Sequence, residues 1–474
     1  METPKHQTTD RQRVFIKTFG CQMNEYDSEK MLRLLAPDYA PVDSPEQAEL
    51  VLVNTCSVRE KGEHKLFSLL GSLRELKELR SDLIIGVAGC VAQQEGSQII
   101  KRNSAVDFVV GTHNLSLVPS LVAQAKGGRG GQVAIDYRED WENLPLDFDP
   151  IAIAEGQGTP IRALVAIQRG CNKRCSFCVV PNTRGDEVSR SPQEILREVK
   201  LKVRMGAKEV LLLGQTVNSY GRDLTPRYPF DRLVRELAEI DGLERIRFIS
   251  PHPAEVRPEF IALYGEVPQL CDHIHLPLQS GSDRVLKLMN RNYRLRRYYE
   301  IVDALRERRP EIAITTDIIV GFPTESEDDF KQTLEALSRV RYNAAYSFVY
   351  SRRPHTVAIA QFREDEEVPT SEAHRRLLEL QARQDGISEE LNARHLHTEV
   401  EMLVESRSER PATERFDAGS IVRGRIPQNT SVDAVVPDRF SKLIRPGQIC
   451  RVLIDHTGPY ALRGTVLDSP EWGR

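Results

Sequence analysis

Short apolar runs alternate with helical stretches through most of the chain, and that alternation leaves few folds open. RVFIKTF (13–19), LVLVNT (50–55), LIIGVAG (83–89) and VDFVVG (106–111) read as strands, with helical patterns between them, as at 57–77 and 92–102. Strand and helix in turn predict a parallel, doubly wound α/β sheet. From 161 the alternation resumes in longer units. Its strands are LVAIQ (164–168), VLLLG (210–214), RIRFI (245–249), HIHLP (273–277), AITTDIIVG (313–321) and AAYSFVY (344–350). Six β/α units predict a full or partial parallel barrel, (β/α)6 in count.

Two stretches break the pattern. GGRGG (127–131) followed by the acidic REDWENLPLDFDP (138–150) reads as a linker or wrapping segment over 126–160. After one long polar helix at 369–397, the chain turns to EVEMLVES, GSIVRGRI, TSVDAVV, QICRVLIDH and ALRGTVL, short strands parted by turn residues. These predict a small all-β barrel. The expected organisation is therefore an α/β domain over 1–125, a linker over 126–160, a β/α barrel over 161–394 and a β-barrel over 395–474.

Composition adds exclusions. With 474 residues, 28% charged and 40% hydrophobic, the chain reads as an ordinary globular protein. No apolar run approaches a membrane span, and the polar start METPKHQTTDRQRV has no signal-peptide core. A cytoplasmic setting with no membrane association is expected, and there eight cysteines stay reduced. The net charge of −4 argues for no partner, so nucleic-acid binding would need a local basic patch.

The cysteines fall into sets. CNKRCSFC (171–178) packs Cys171, Cys175 and Cys178 into eight positions directly after the first barrel strand. Active sites of β/α barrels lie at that end of the strands. Sulfur-only ligation suits zinc or an iron–sulfur cluster. Three thiolates leave one iron of a four-iron cluster free, whereas zinc would need a remote fourth ligand. Cys21, Cys56 and Cys90 each lie just past the end of a strand in the first domain. Neighbouring parallel strands bring such ends together at one edge, so a second three-thiolate site is expected. Cys271 and Cys450 read as ordinary buried thiols.

The C-x3-C-x2-C loop, with Phe177 before its last cysteine, resembles the radical S-adenosylmethionine (SAM) superfamily. The two cysteine sets in this order resemble its methylthiotransferase family. So do KTFGCQMNEYDSE (17–29), NTCSVREK (54–61), GCVAQQ (89–94), CVVPNTRG (178–185), LLGQTVNSYG (212–221), LPLQSGSDRVLKLMNR (276–291) and IVGFPTESEDDF (319–330). CQMN, NTCSVREK and CVVPNTRG look like the branch that modifies isopentenyladenosine beside the tRNA anticodon. Rival readings are a branch acting on threonylcarbamoyladenosine, a branch acting on a ribosomal-protein aspartate, and, outside enzymes, an iron–sulfur RNA-binding regulator. Arg169 stands where the branch has Glu, and SRRPHTVA (351–358) lacks the glycine and the last proline of the family's SPRPGTPA.

The resemblance implies two 4Fe-4S clusters and SAM as cofactors. Cys171, Cys175 and Cys178 would hold the cluster that binds and cleaves SAM, and Cys21, Cys56 and Cys90 an auxiliary cluster that donates sulfur. It implies tRNA as substrate, a flavodoxin- or ferredoxin-like electron donor and iron–sulfur assembly or carrier proteins as partners. Insertion at carbon 2 of adenine replaces an unactivated hydrogen, which acid–base side chains cannot remove, so the chemistry must come from a cofactor. Further SAM contacts are expected at strand ends, from Gln215, Ser250, Gln279, Ser280 and Phe322, with Phe177 beside the loop and Gly281 allowing close backbone approach. The C-terminal barrel sits where the family carries an RNA-binding TRAM domain, and Arg407, Arg410, Arg423 and Arg425 are its candidate phosphate contacts. NRNYRLRRYYE (290–300) interleaves Arg with Tyr and reads as an RNA contact or as the start of a barrel helix. His273 and His275 share a strand face and read as core histidines.

Overall fold

The computed structural model describes residues 11–57, 60–137, 161–410 and 419–468. It divides into two compact units. The first contains the N-terminal sheet together with residues 168–173 and 178–190; the second contains 159–167, 174–177 and 191–474. The loop carrying the cysteine triplet is thus shared out, and the units do not follow the boundary expected at 161.

The first unit is built on β1 (Gln12–Thr18), β2 (Tyr39–Pro41), β3 (Leu50–Thr55), β4 (Ile84–Gly89), β5 (Phe108–Val110) and β6 (Gln132–Ala134). They form one parallel sheet in the order β2-β1-β3-β4-β5-β6. β3 and β4 are buried along their whole length, as their unbroken apolar runs require. Successive residues serve opposite faces. Val51 and Val53 pack with Leu66 and Leu70 of helix Glu60–Leu79, while Leu50 and Leu52 pack with Met31 and Leu35 of helix Gln22–Leu35. That is the doubly wound arrangement expected. The helix expected at 92–102 is two helices, Cys90–Glu95 and Ser97–Arg102, parted at Gly96. β6 extends the sheet beyond the boundary expected at 125, directly after the GGRGG break. The acidic stretch 138–150 lies outside the described residues.

The second unit opens with β7 (Arg162–Ala166). Then come β8 (Gln168–Arg169) and β9 (Val188–Ser189), an antiparallel pair belonging to the first unit. The barrel continues with β10 (Glu209–Leu213), β11 (Arg245–Phe248), β12 (His273–His275), β13 (Ala313–Val320) and β14 (Ala344–Val349). All six expected barrel strands are present, in two parallel sheets, β11-β10-β7 and β12-β13-β14. An isolated parallel bridge, Ile246 to Leu270, continues from the first sheet toward the second. One apolar cluster, from Val165 and Val210 through Ile274 and Ile314 to Leu337, lies between strands and helices.

Helix Thr370–Ala393 leads into β15 (Glu399–Arg410), β16 (Gly419–Arg425), β17 (Ser431–Val436), β18 (Ile449–Thr457) and β19 (Ala461–Asp468). These close into a barrel in the order β15-β16-β17-β19-β18, around Met402, Val422, Val432, Val452 and Leu462. The barrel packs against the N-terminal ends of the β/α strands. Arg245 donates to the carbonyls of Arg425 (2.7 Å) and Glu401 (3.2 Å), and Arg247 to those of Ile426 and Pro427 (2.9 Å each).

Candidate functional site

Thr18 pairs with Asn54, Asn54 with Ala88 and Thr55 with Gly89, so β1, β3 and β4 end level. Cys21 directly precedes helix Gln22–Leu35, Cys56 follows β3 directly, and Cys90 is the first residue of helix Cys90–Glu95. The structure brings the three together, with Cys56 hydrogen-bonded to both others. Gly20 makes room for them: at φ 127° its backbone suits glycine, and a Cβ there would stand 2.3 Å from that of Cys56.

A buried polar network surrounds the thiols. Asn24 Oδ1 lies 3.8 Å from Cys21 Sγ and 4.0 Å from Cys90 Sγ. It accepts from Arg184 Nη2 (3.0 Å), which also donates to Asp27 Oδ2 (2.7 Å). Asn54 Nδ2 ties the network to the Asn24 carbonyl (2.8 Å) and Ser28 Oγ (2.9 Å). The hydrogen bond from Cys56 lowers the Cys21 thiol to about 6 and the Cys90 thiol to about 7, with the Arg184 charge adding to it. Cys56 is pushed up by the same hydrogen bonds, to Cys21 first and then Cys90. Burial opposes the charge on Arg184, but Asp27, Cys90 and Cys21 outweigh it and keep the guanidinium protonated.

This pocket suits a cluster better than a lone ion. Among the described residues no group of three or more His, Cys, Asp or Glu is arranged to hold a single metal ion. In a four-iron cluster each thiolate binds its own iron, so three thiols need not meet at one point as they would around a single ion. Beside Cys56, the buried Ser57 Oγ has no partner among the described residues. Such a hydroxyl is suited to hydrogen-bond to the sulfur of a bound group.

The loop of the second triplet is held separately within each unit. In the first unit, Cys171 N donates to Gly185 O (3.0 Å), and Asn172 and Glu187 exchange side-chain-to-backbone bonds. In the second unit, Ser176 N donates to Met289 O (3.0 Å), Ser176 Oγ to Leu288 O (2.9 Å), and Ala358 N to Ser176 O (2.7 Å). Arg291 Nη1 donates to Cys175 Sγ (3.3 Å) while its Nε donates to Tyr293 Oη (3.2 Å). The stretch 290–300 is therefore no uniform RNA-facing strip. Tyr293 and Tyr298 are buried, and Arg291 faces the Cys175 thiol.

The expected SAM contacts divide. Gln215, two residues past β10, holds a buried Oε1 with no partner among the described residues, as an atom awaiting a donor would. Ser250 and Gln279 sit at φ 62° and 74°, and the Gln279 backbone is locked to β13 through Asp317 O and Ile319 N. Ser280 and Phe322 are fully buried. The Phe322 ring packs edge-on to Tyr350 and Phe362, and Phe177 packs on the same cluster. Gly281 does permit a close approach, but to helix Glu327–Val340: a Cβ would lie 2.4 Å from Thr333 Cα. His273 is a core histidine bonded to Thr315, while the His275 ring lies 3.2 Å from Asp317 and near the exposed Tyr346.

The candidate RNA arginines are largely engaged. Arg407 donates to the carbonyls of Ser441 and Ile444 and to Ser420 Oγ (2.6 Å). Arg423 pairs with Asp433 (2.7 Å) and Arg425 with Glu405 (3.2 Å). The side chain of Arg410 lies outside the described residues. Cys271 and Cys450 are buried as expected, and burial pushes the Cys271 thiol up to about 12.

The family model of the radical SAM superfamily matches residues 165–337, and that of an uncharacterized protein family, UPF0004, matches residues 13–111. The tRNA-2-methylthio-N(6)-dimethylallyladenosine synthase of Geobacter metallireducens is 46% identical over 403 residues, 85% of this chain and 89% of that protein. Its counterpart from Syntrophobacter fumaroxidans is 42% identical over 472 residues, 99% of each. The chain belongs to the tRNA-2-methylthio-N(6)-dimethylallyladenosine synthase family. Its fold is also that of the radical SAM methyltransferase TsrM from Kitasatospora setae, solved with cobalamin and a 4Fe-4S cluster. That likeness has TM-score 0.55 at 15% identity and covers 75% of this chain and 78% of that one. As a member of the synthase family, the chain is a radical SAM methylthiotransferase. No helix among the described residues is long and apolar enough to cross a membrane.

Against the family's SPRPGTPA, His355 occupies the glycine position, and its φ is 62°, the left-handed conformation that glycine adopts freely. Val357 takes the last proline position and is the first residue of helix Val357–Gln361, where proline is favoured. Sequence reasoning did not single out Arg184, Asp27, Asn24 or Arg291. It also passed over Tyr350, whose buried Oη has no partner among the described residues. The signal for Arg184 and Asn24 was their place inside CVVPNTRG and CQMN, beside cysteines of the two triplets.

Proposed function

We propose that this chain adds a methylthio group to carbon 2 of N6-isopentenyladenosine next to the tRNA anticodon; its relatives' names state that product in tRNA. Cys171, Cys175 and Cys178 hold one 4Fe-4S cluster and Cys21, Cys56 and Cys90 the other. When bound, these groups supply reductive cleavage of SAM at the first and the transferred sulfur at the second. The observation that carries the reading is the convergence of three thiols at the level ends of β1, β3 and β4, around the protonated Arg184.

The chain's own residues supply position and charge. Arg184 and Asn24 hold the auxiliary thiols within one polar pocket. Arg291 directs Cys175 and lends it a positive charge. Gln215 offers an unpartnered oxygen to the amino group of SAM. The barrel over 395–474 binds tRNA through phosphates, the β/α barrel over 161–394 carries the radical chemistry, and the domain over 1–125 carries the sulfur donor. A flavodoxin- or ferredoxin-like protein delivers electrons, and iron–sulfur carriers rebuild the donor cluster in the cytoplasm. Mass spectrometry of nucleosides in tRNA from a strain lacking this protein tests the reading. N6-isopentenyladenosine should accumulate and its 2-methylthio form disappear. An unchanged 2-methylthio form, or loss of the threonylcarbamoyl methylthio nucleoside instead, overturns it.

A further inference from the structure

Arg184 is buried, and its chemistry is not spent on folding the strand or helix it belongs to. It ends the short helix Val180–Arg184, six residues after Cys178, and reaches back to Asp27 and Asn24 on helix Gln22–Leu35. Arg184 and Asp27 side chains are each 6% exposed, so neither charge is satisfied by water. The same short helix packs on helix Cys90–Glu95, and Thr112 Oγ1 donates to Thr183 O (2.6 Å). Cys178 and this network belong to one compact unit. The segment that leaves the SAM-side triplet is thereby pinned to the pocket of the other triplet by an ion pair.

We propose that Arg184 is a positioning residue for sulfur transfer. It presents a fixed positive charge to the Cys21–Cys56–Cys90 site and ties the segment following Cys178 to that site. The inference rests on the assignment of an auxiliary cluster to these three cysteines. A cation held near a cluster favours its more negative, reduced form, and here the charge sits in a poorly solvated pocket where its effect is strong. Asp27 keeps the guanidinium aimed. Asn24, contacting both the cation and two of the thiols, fixes the distance between them.

The test uses the full chain with Cys171→Ala, Cys175→Ala and Cys178→Ala, so that only the auxiliary cluster forms. Adding Arg184→Met should lower the cluster's midpoint potential, read by redox titration with electron paramagnetic resonance, and Arg184→Lys should restore it. An unchanged potential in the methionine variant at full iron content overturns the inference. The second readout needs no cluster. In metal-free protein, hydrogen exchange of the amides over 179–190 should accelerate roughly tenfold or more in Arg184→Met, with β3 and β4 unaffected. Unaltered exchange there overturns the tether. If the parent variant takes up no iron, the site assignment fails, and the exchange measurement alone decides the role of Arg184. If only Arg184→Met loses iron, the same measurement decides.

Discussion

Replacing Arg247 with leucine should destabilise the second unit severely, because one side chain joins its two barrels. Arg247 Nε donates to Glu209 Oε1 at 2.8 Å, and both side chains are 2% exposed. Its Nη1 and Nη2 satisfy the carbonyls of Pro427 and Ile426. Breaking a buried ion pair from one side costs about 3–5 kcal/mol. Each stranded carbonyl costs about 1–3 kcal/mol more where water cannot reach it. Arg162, 3.3 Å from Glu209, offsets part of this by keeping that carboxylate paired. A net loss of about 4 kcal/mol is a large share of the roughly 5–15 kcal/mol that holds a domain folded. At roughly 2 cal/mol/K of unfolding entropy per residue, a unit of about 300 residues should lose about 6 °C in Tm. Circular dichroism melts of the reduced, metal-free chain would show this, with Arg247→Leu/Glu209→Leu recovering part of the loss. A Tm within about 3 °C of the parent would refute the reasoning. The same contacts bear on truncation: removing 398–474 strips Arg245 and Arg247 of their carbonyl acceptors and leaves buried cations facing water.

His355→Gly should raise stability by about 0.5–1 kcal/mol, since it removes a side chain from a left-handed backbone, and a melt at or below the parent's would count against it. Thr324→Gly should act in the same direction and more strongly, because a β-branched residue at φ 66° is worse placed; denaturant midpoints compare the two. Asp329 accepts from Ser282 Oγ (2.6 Å), Ser326 N (2.9 Å) and Arg284, and although burial opposes it, these hold its carboxyl well below the usual range. Asp329→Asn should therefore cost about 1–3 kcal/mol at neutral pH. The native contribution is fully present above about pH 4 and is lost as pH falls through the lowered value, so the gap between parent and variant should close only in strong acid. The intact protein should take up about eight irons, and alanine at either triplet should leave about four. Alanine at 171, 175 and 178 should abolish 5′-deoxyadenosine formation, whereas alanine at 21, 56 and 90 should leave it and stop methylthio insertion. Methylthiolated tRNA from the second variant would exclude the sulfur-donor role.

The strands were legible because a parallel strand covered on both faces must be apolar throughout, and LVLVNT and IIGVAG are buried at every position. β2 and β6 were not, because each has three residues and carries Pro41 or Gln132 where an apolar run would have to stand. Edge strands can use such residues since one side pairs with nothing. The cysteine triplet of the first unit was legible for a related reason: once three neighbouring strands are placed, their ends are placed too.

What sequence could not show is where charge is spent. Arg407, Arg423 and Arg425 read from sequence as phosphate contacts, yet their partners are carbonyls and carboxylates supplied by other parts of the closed barrel. An RNA phosphate must compete with those bonds or rely on other cations of the barrel. Arg184 shows the converse. Its carboxylate partner lies 157 residues away along the chain, and its value depends on that partner being buried with it. A motif marks such a residue as present, but only the assembled pocket gives it a role. The two cysteine triplets could be read from spacing because thiols stand at few positions of the chain. The cation that faces them demands only that some folded segment return there, and spacing carries no trace of that.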